Sequence, residues 1–210
     1  MKKLTIVILL VISILVGCTT KEMSKSYGIQ DLVFQPYTDI QKDSVIPLGI
    51  KAVPERYMEV ANQQGKVVRF DYVTHTYDIQ NRVMKKYAYV YIPYGYETST
   101  DHYDVVYAMH GHTGDVTSFP GELDDLSDIK NVIDHLIENK EIKPMLMVFA
   151  SYYHDNVDMD TDDYDASLTE AFGKELQNDL LPQFEHAYRT YARSTSEEDL
   201  IASRDHRIFL

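Results

Sequence analysis

Three short stretches of the chain have the residue types and spacing to do chemistry. His110-Gly111-His112-Thr113-Gly114-Asp115 directly follows the apolar run Asp104–Met109. A glycine-containing turn at the C-terminal end of a parallel strand is where α/β folds place ligand sites. Glycine lets the backbone approach a substrate closely and turn its N–H groups inward. Such a turn can supply oxyanion-hole donors, which stabilise the negative charge of a tetrahedral intermediate. The same residues also suit an ordinary strand-to-helix loop in which His110 is packed and hydrogen-bonded. Tyr152 and Tyr153 lie just past a second apolar run, Met145–Ala150, and are placed to line a cleft. The third stretch is acidic: Asp155, Asp158, Asp160, Asp162, Asp163 and Asp165.

Metal chemistry fits these stretches poorly. The His-x-His-x-Asp-His pattern of metallo-β-lactamase-like enzymes needs Asp and His where Gly114 and Asp115 stand. A bare His-x-His is weak evidence for a zinc site. Asp158-x-Asp160-x-Asp162 has the opening spacing of a calcium loop, but Asp163 replaces its glycine and Thr169 its closing glutamate. An EF-hand is excluded; an irregular calcium site in 155–165 stays open beside a solvated acidic loop. No metal and no cofactor is assigned.

A nucleophile is also missing. No Gly-x-Ser-x-Gly occurs in the 210 residues, and that motif is what a serine needs at a strand-to-helix elbow. Ser151 and Ser203 lack flanking glycines, so no catalytic residue is assigned.

The elements that must position these residues follow from periodicity. Residues 65–73 and 86–92 carry the alternation and the β-branched and aromatic residues of strands. They are expected to pair antiparallel across the polar link 76–85. Asp104–Met109 and Met145–Ala150 are nearly continuous apolar runs, as in strands buried on both faces of a parallel sheet. Between them Ser127 to Asn139 reads as a helix, with Ser127 as N-cap and Ile129, Val132, Ile133, Leu136 and Ile137 on one face. Strand, helix and strand of that length make a right-handed βαβ crossover. Ala166 to Ala192 reads as a long helix that Pro182 kinks or restarts. Ile208-Phe209-Leu210 reads as the opening of another buried strand.

The first residues set the compartment. Met1-Lys2-Lys3 and the apolar run Leu4–Val16 have the form of a signal peptide, too short for a comfortable bilayer span. Leu15-Val16-Gly17-Cys18 resembles a bacterial lipobox, and Cys18, the one cysteine, is expected to take the lipid. Residues 1–17 are then the signal peptide, 18–43 a tether and N-terminal extension, and 44–210 the domain. A mature chain without a second thiol has no disulfide to support its core. The formal charge of −13 argues against nucleic acid and anionic lipid headgroups as partners. The 17 tyrosines, with no tryptophan, fall partly on strands as half-buried sheet residues.

Taken together, several segments resemble one family, the esterase-D-like α/β-hydrolases that include feruloyl and acetyl xylan esterases. The segments are Tyr87–Tyr96, Val106–Gly114, Lys143–Val148, Phe172–Pro182 and Asp205-His206-Arg207, in that order. The resemblance covers about residues 65–207. It implies an α/β-hydrolase fold whose N-terminal half, a mostly parallel sheet with flanking helices, is present and ends before the nucleophile elbow. It implies that backbone N–H groups near His112 and Thr113 form half of an oxyanion hole, while the serine, aspartate and histidine of the triad lie later than Leu210. The expected function is that of a fragment of an exported, lipid-anchored carboxylic ester hydrolase acting on plant cell-wall polysaccharide esters, inactive as it stands. An edge strand left unpaired would favour aggregation. The alternative is a surface lipoprotein that binds glycan without cleaving it. A polysaccharide or small ester is the expected substrate, and the oligomeric state stays open.

Overall fold

The computed structural model describes residues 52–77, 80–153 and 162–210, with side chains from 168 onward in the last stretch. The expected signal peptide, Cys18, the expected tether and most of the acidic stretch lie outside the described residues. The elements run β1 (Lys66–His75), β2 (Val83–Ile92), β3 (Asp104–Met109), the two-residue strands β4 (Gly121–Glu122) and β5 (Asp125–Leu126), α1 (Asp128–Glu138) and β6 (Met145–Ala150). Then come α2 (Asp162–Glu175), a π-helical turn (Leu176–Leu180), α3 (Leu181–Ala187), α4 (Glu197–Ala202) and β7 (Arg207–Phe209).

Five strands form one sheet in the order β1-β2-β6-β3-β7. β1 pairs antiparallel with β2, as expected, and β2 antiparallel with β6. Only β6–β3 and β3–β7 are parallel. The sheet among the described residues is therefore evenly mixed rather than mostly parallel, because β2 inserts beside β6 in the opposite sense. This mixed sheet with helices explains the apolar runs. Ala88, Val90, Val105, Tyr107, Leu146 and Val148 point to one face, where Phe172, Leu180 and Phe184 cover them. Tyr89, Tyr91, Ala108 and Phe149 point to the other, against Ile133 of α1. Alternate residues on a strand face opposite sides, so a strand covered on both sides must be apolar throughout.

The helices depart from expectation in three places. Ser127 occupies the N-cap position of α1, but its hydroxyl donates to the Phe119 carbonyl and caps nothing. Ile129 is exposed, and the residues α1 buries are Lys130, Ile133 and Asp134. The long stretch is helical from Asp162 and stops at Ala187, with Tyr188 extended. A π turn, not a break, precedes Pro182, and the helix runs on through it into α3.

Asp134 ties α1 to the antiparallel strands. Its carboxylate accepts hydrogen bonds from Gly65 N (2.8 Å), Tyr91 Oη (2.6 Å) and Lys130 Nζ (2.6 Å). Burial and the neighbouring carboxylate push the Tyr91 hydroxyl well above its ordinary range, so it stays a donor. Asp134→Asn keeps an acceptor but removes the charge from three charge-assisted bonds. It is expected to cost about 2 kcal/mol, seen as a lower urea midpoint at unchanged m-value.

Candidate functional site

The parallel register sets Met109 of β3 level with Ala150 of β6. The next residue on each strand is therefore a neighbour of the other: His110 and Ser151. His110 Nε2 lies 2.8 Å from Ser151 Oγ, and His110 Nδ1 lies 2.7 Å from the Gly111 carbonyl. A carbonyl only accepts, so the proton sits on Nδ1 and Nε2 takes the serine hydroxyl's hydrogen bond. Ser151 Oγ also accepts from the Tyr153 amide at 3.1 Å. Tyr152 and Tyr153 close over the imidazole, with ring centroids 4.6 Å and 5.4 Å from it. All four residues are buried. Both imidazole nitrogens are thus engaged with protein groups, which leaves His110 no lone pair for a metal. Among the described residues no three His, Cys, Asp or Glu side chains converge as a metal site would require.

Beyond His110 the chain makes the predicted tight turn. Gly114 N donates to Gly111 O at 3.1 Å, with His112 and Thr113 as the exposed central pair. Thr113 is in the left-handed region at φ 63°, a conformation that a β-branched residue adopts only when its surroundings impose it. Gly114 is fixed by space instead: a Cβ there would stand 2.7 Å from Ser118 Oγ and 2.8 Å from His110 Cβ. Asp115 locks the exit, its carboxylate accepting from Thr117 N at 2.8 Å and its amide donating to Ser118 Oγ at 2.8 Å. Thr113→Gly is expected to stabilise the chain by about 0.5–1 kcal/mol through relief of backbone strain. Gly114→Ala should destabilise it and displace His110. Thermal midpoints that move the same way for both variants would contradict this account.

A buried ionic network stands behind the pair. Lys86 Nζ donates to the Ser151 carbonyl (2.8 Å) and to Glu175 Oε2 (2.9 Å), and Tyr72 Oη donates to Glu175 Oε1 (2.5 Å). Burial raises the Glu175 carboxyl against the pull of Lys86 and the Tyr72 hydrogen bond. Burial, and then the charge of Glu175, raise the Tyr72 hydroxyl. The π turn starts one residue after Glu175, at a place where such turns often mark functional sites. Hydrogen bonds therefore link Tyr72 of β1, Glu175 of α2, Lys86 of β2 and Ser151 just after β6 to His110.

Two further observations fix where the sheet leads. Arg207 donates to both carboxylate oxygens of Glu185 and, at 2.6 Å, to the Leu200 carbonyl. His206 Nδ1 is 2.7 Å from Asp104 Oδ1. These bonds anchor the Asp205-His206-Arg207 run at the start of β7. At its other end Leu210 N donates to Tyr107 O (2.9 Å) and Met109 N to Leu210 O (3.0 Å). Leu210 therefore lies level with Ala108, two residues short of His110.

The chain matches the family model "Esterase: Putative esterase" over residues 81–198, more than half of its length. The chain belongs to the esterase family. It is similar to endo-1,4-β-xylanase Y of Acetivibrio thermocellus, at 29% identity over 160 residues, covering 76% of this chain and 13% of that protein. It is also similar to a solved serine-to-alanine variant of the feruloyl esterase module of Clostridium thermocellum, complexed with sinapinate. That likeness has 29% identity and a TM-score of 0.60, over 76% of this chain and 49% of that one. A second solved structure, described as FAE, matches with a TM-score of 0.59 at the same identity and coverage. The chain spans about half the length of these solved relatives, and a smaller part of the xylanase.

In this esterase domain the His112–Thr113 turn and the Tyr152–Tyr153 segment do come together, through His110. The tyrosine rings pack on the imidazole rather than standing in an open cleft. Ser151, which lacks flanking glycines, is a hydrogen-bonding partner of His110. Two equal six-residue runs in parallel register were enough to pair residues 110 and 151. Lys86 also had a signal, since it shares its strand face with Ala88, Val90 and Ile92. Ser203 is buried, its hydroxyl donating to the Asp199 carbonyl at 2.8 Å.

Proposed function

We propose that this domain supplies the oxyanion side of a carbohydrate esterase that cleaves feruloyl-type esters from xylan. Backbone N–H groups of the His112–Thr113 turn would face the carbonyl oxygen, with Tyr152 and Tyr153 toward the acyl group. The serine would stand on an elbow continuing from β7. The observation that carries this reading is the bond pair between Leu210 and β3, since residues continuing that strand would emerge beside the turn. The acyl group is suggested by the sinapinate in the related module. The chemistry is serine acylation, oxyanion stabilisation and hydrolysis of the acyl-enzyme. No nucleic acid partner is proposed. We further propose that Cys18 carries a lipid that holds the domain on the outer face of a bacterial membrane, after cleavage of residues 1–17. Incorporation of radiolabelled palmitate that survives Cys18→Ser would refute the anchor.

The catalytic reading is tested by a chimera in which residues 52–210 replace the matching half of the Clostridium thermocellum module. It is expected to hydrolyse methyl ferulate. A folded chimera inactive on both methyl ferulate and p-nitrophenyl acetate would overturn the proposal.

A further inference from the structure

The N-terminal ends of β3 and β6 carry a second concave feature, six residues of strand and roughly 20 Å from the His110 turn. Asp104 and Met145 are level in the parallel register. The segments that lead into them, together with Tyr191, line a cavity of about 370 Å³.

Tyr191 is 43% exposed, yet several bonds hold it in place. Its ring stacks on His206, with centroids 3.6 Å apart and planes within 11°. His206 is in turn held by Asp104, at 2.7 Å. The backbone just before the tyrosine is pinned to the sheet, by Tyr103 N donating to Arg189 O (3.0 Å) and by the bridge between Tyr103 and Thr190. One face of the ring is thus taken by His206, and the exposed remainder is fixed before any ligand arrives. Around it in the cavity stand Asp101, His102 and Lys143, all exposed. His102 leans over the tyrosine with ring centroids 5.9 Å apart.

A rigid ring flanked by an acceptor, a donor and an imidazole suits a ligand with an apolar C–H face and a rim of hydroxyls. Such a ligand stacks on the ring, while its hydroxyls take charge-assisted bonds from the rim. Preorganisation spares the binding step the cost of ordering those groups. The carboxylates of Asp101 and Asp104 beside Lys143, on a chain of net charge −13, disfavour an anion and favour a neutral molecule. We propose that this groove is a carbohydrate-binding site for a short neutral xylo-oligosaccharide, with Tyr191 as its stacking platform. The choice of xylan over another glycan rests on the esterase reading above; the platform does not.

The test uses the 210-residue chain. Titration with xylohexaose, followed by amide NMR, is expected to shift residues 100–104, 143 and 190–193 saturably. Tyr191→Ala should weaken binding on the order of tenfold, and Lys143→Ala severalfold. Tyr191→Phe should bind within about twofold of the parent, because the face of the ring is kept. An unchanged thermal midpoint in Tyr191→Phe and Lys143→Ala shows that losses are not unfolding. Saturable shifts indifferent to Tyr191→Ala would overturn the proposal, as would binding of cellohexaose without xylohexaose. An active ferulate-cleaving chimera with no xylohexaose binding would sink this site and spare the esterase reading. Tyr191-dependent binding beside an inactive chimera would do the reverse.

Discussion

Replacing Lys86 with methionine is expected to destabilise the domain by about 3–5 kcal/mol, the cost of leaving one member of a buried ion pair alone. Lys86 and Glu175 are each about 4% exposed, with Nζ and Oε1 2.7 Å apart. Neither charge has water to fall back on. With the ammonium gone, Glu175 keeps only the Tyr72 hydroxyl, and the Ser151 carbonyl loses its Nζ–H donor. Glu175→Leu alone should cost as much, because it strands Lys86. The double variant is the discriminating one. Two apolar side chains of similar size have no charge to desolvate, so Lys86→Met with Glu175→Leu should recover most of the loss. Burial already raises the Glu175 carboxyl despite its partner, which is the sign of a pair costly to keep. Urea titrations of the four proteins measure the coupling energy. Losses that simply add would show that the two groups act independently and that no network exists.

What the recovered stability does not restore is equally informative. The double variant still lacks the bond from Lys86 to the Ser151 carbonyl, so the end of β6 loses a tether while the core is repaired. Faster amide exchange confined to residues 151–153, at near-parental global stability, is the expected signature.

This network also shows how far residue patterns reach. Strand positions were legible because burial on both faces forces continuous apolarity, and β3 and β6 lie where their apolar runs fall; β7 also forms at its run, but as an edge strand with Ile208 and Phe209 exposed rather than buried. The pairing of β2 with β6 was not legible. Antiparallel contact there spans Tyr89–Tyr91 and Met147–Phe149, residues that suit a neighbour of either direction, so the sheet's sense depends on connections rather than composition. On α1 the apolar spacing nominated Ile129, whereas Lys130 and Asp134 took the inner face. A carboxylate four residues after a lysine looks like a surface pair until Gly65 and Tyr91 arrive from another part of the chain to satisfy it. At the site, the turn was legible from its glycines and the His110–Ser151 contact from equal strand lengths. Glu175 was not, since its meaning depends on Lys86 and Tyr72, about 90 and 100 residues away along the chain.

The largest effect is expected in catalysis. The 210-residue chain should leave methyl ferulate at its solvent rate of hydrolysis, because it contains no Gly-x-Ser-x-Gly and loss of the nucleophile alone lowers kcat about 10⁶-fold in a serine hydrolase. Among the described residues the rival is Ser151, whose hydroxyl sits 2.8 Å from the imidazole nitrogen that accepts its hydrogen bond, the geometry of a serine with its general base. Three features argue against it. Ser151 is 7% exposed, and Tyr152 and Tyr153 pack on its partner His110. Its oxygen already accepts the Tyr153 N–H, which weakens it as a nucleophile. And Ser151 has none of the positive-φ strain of the turn that presents a reactive serine, with no helix beginning at Tyr152 or Tyr153. Its part is to hold His110, and through it the His112–Thr113 turn. A fluorophosphonate probe separates these roles. The chain should stay unlabelled, and the ferulate-cleaving chimera should take one equivalent at its elbow serine. Ser151→Ala in the chimera should keep that label and lower kcat by about tenfold at most, the scale of a misplaced oxyanion donor rather than a lost nucleophile. If the 210-residue chain is labelled, and Ser151→Ala abolishes the label, then Ser151 and His110 are themselves the reactive pair.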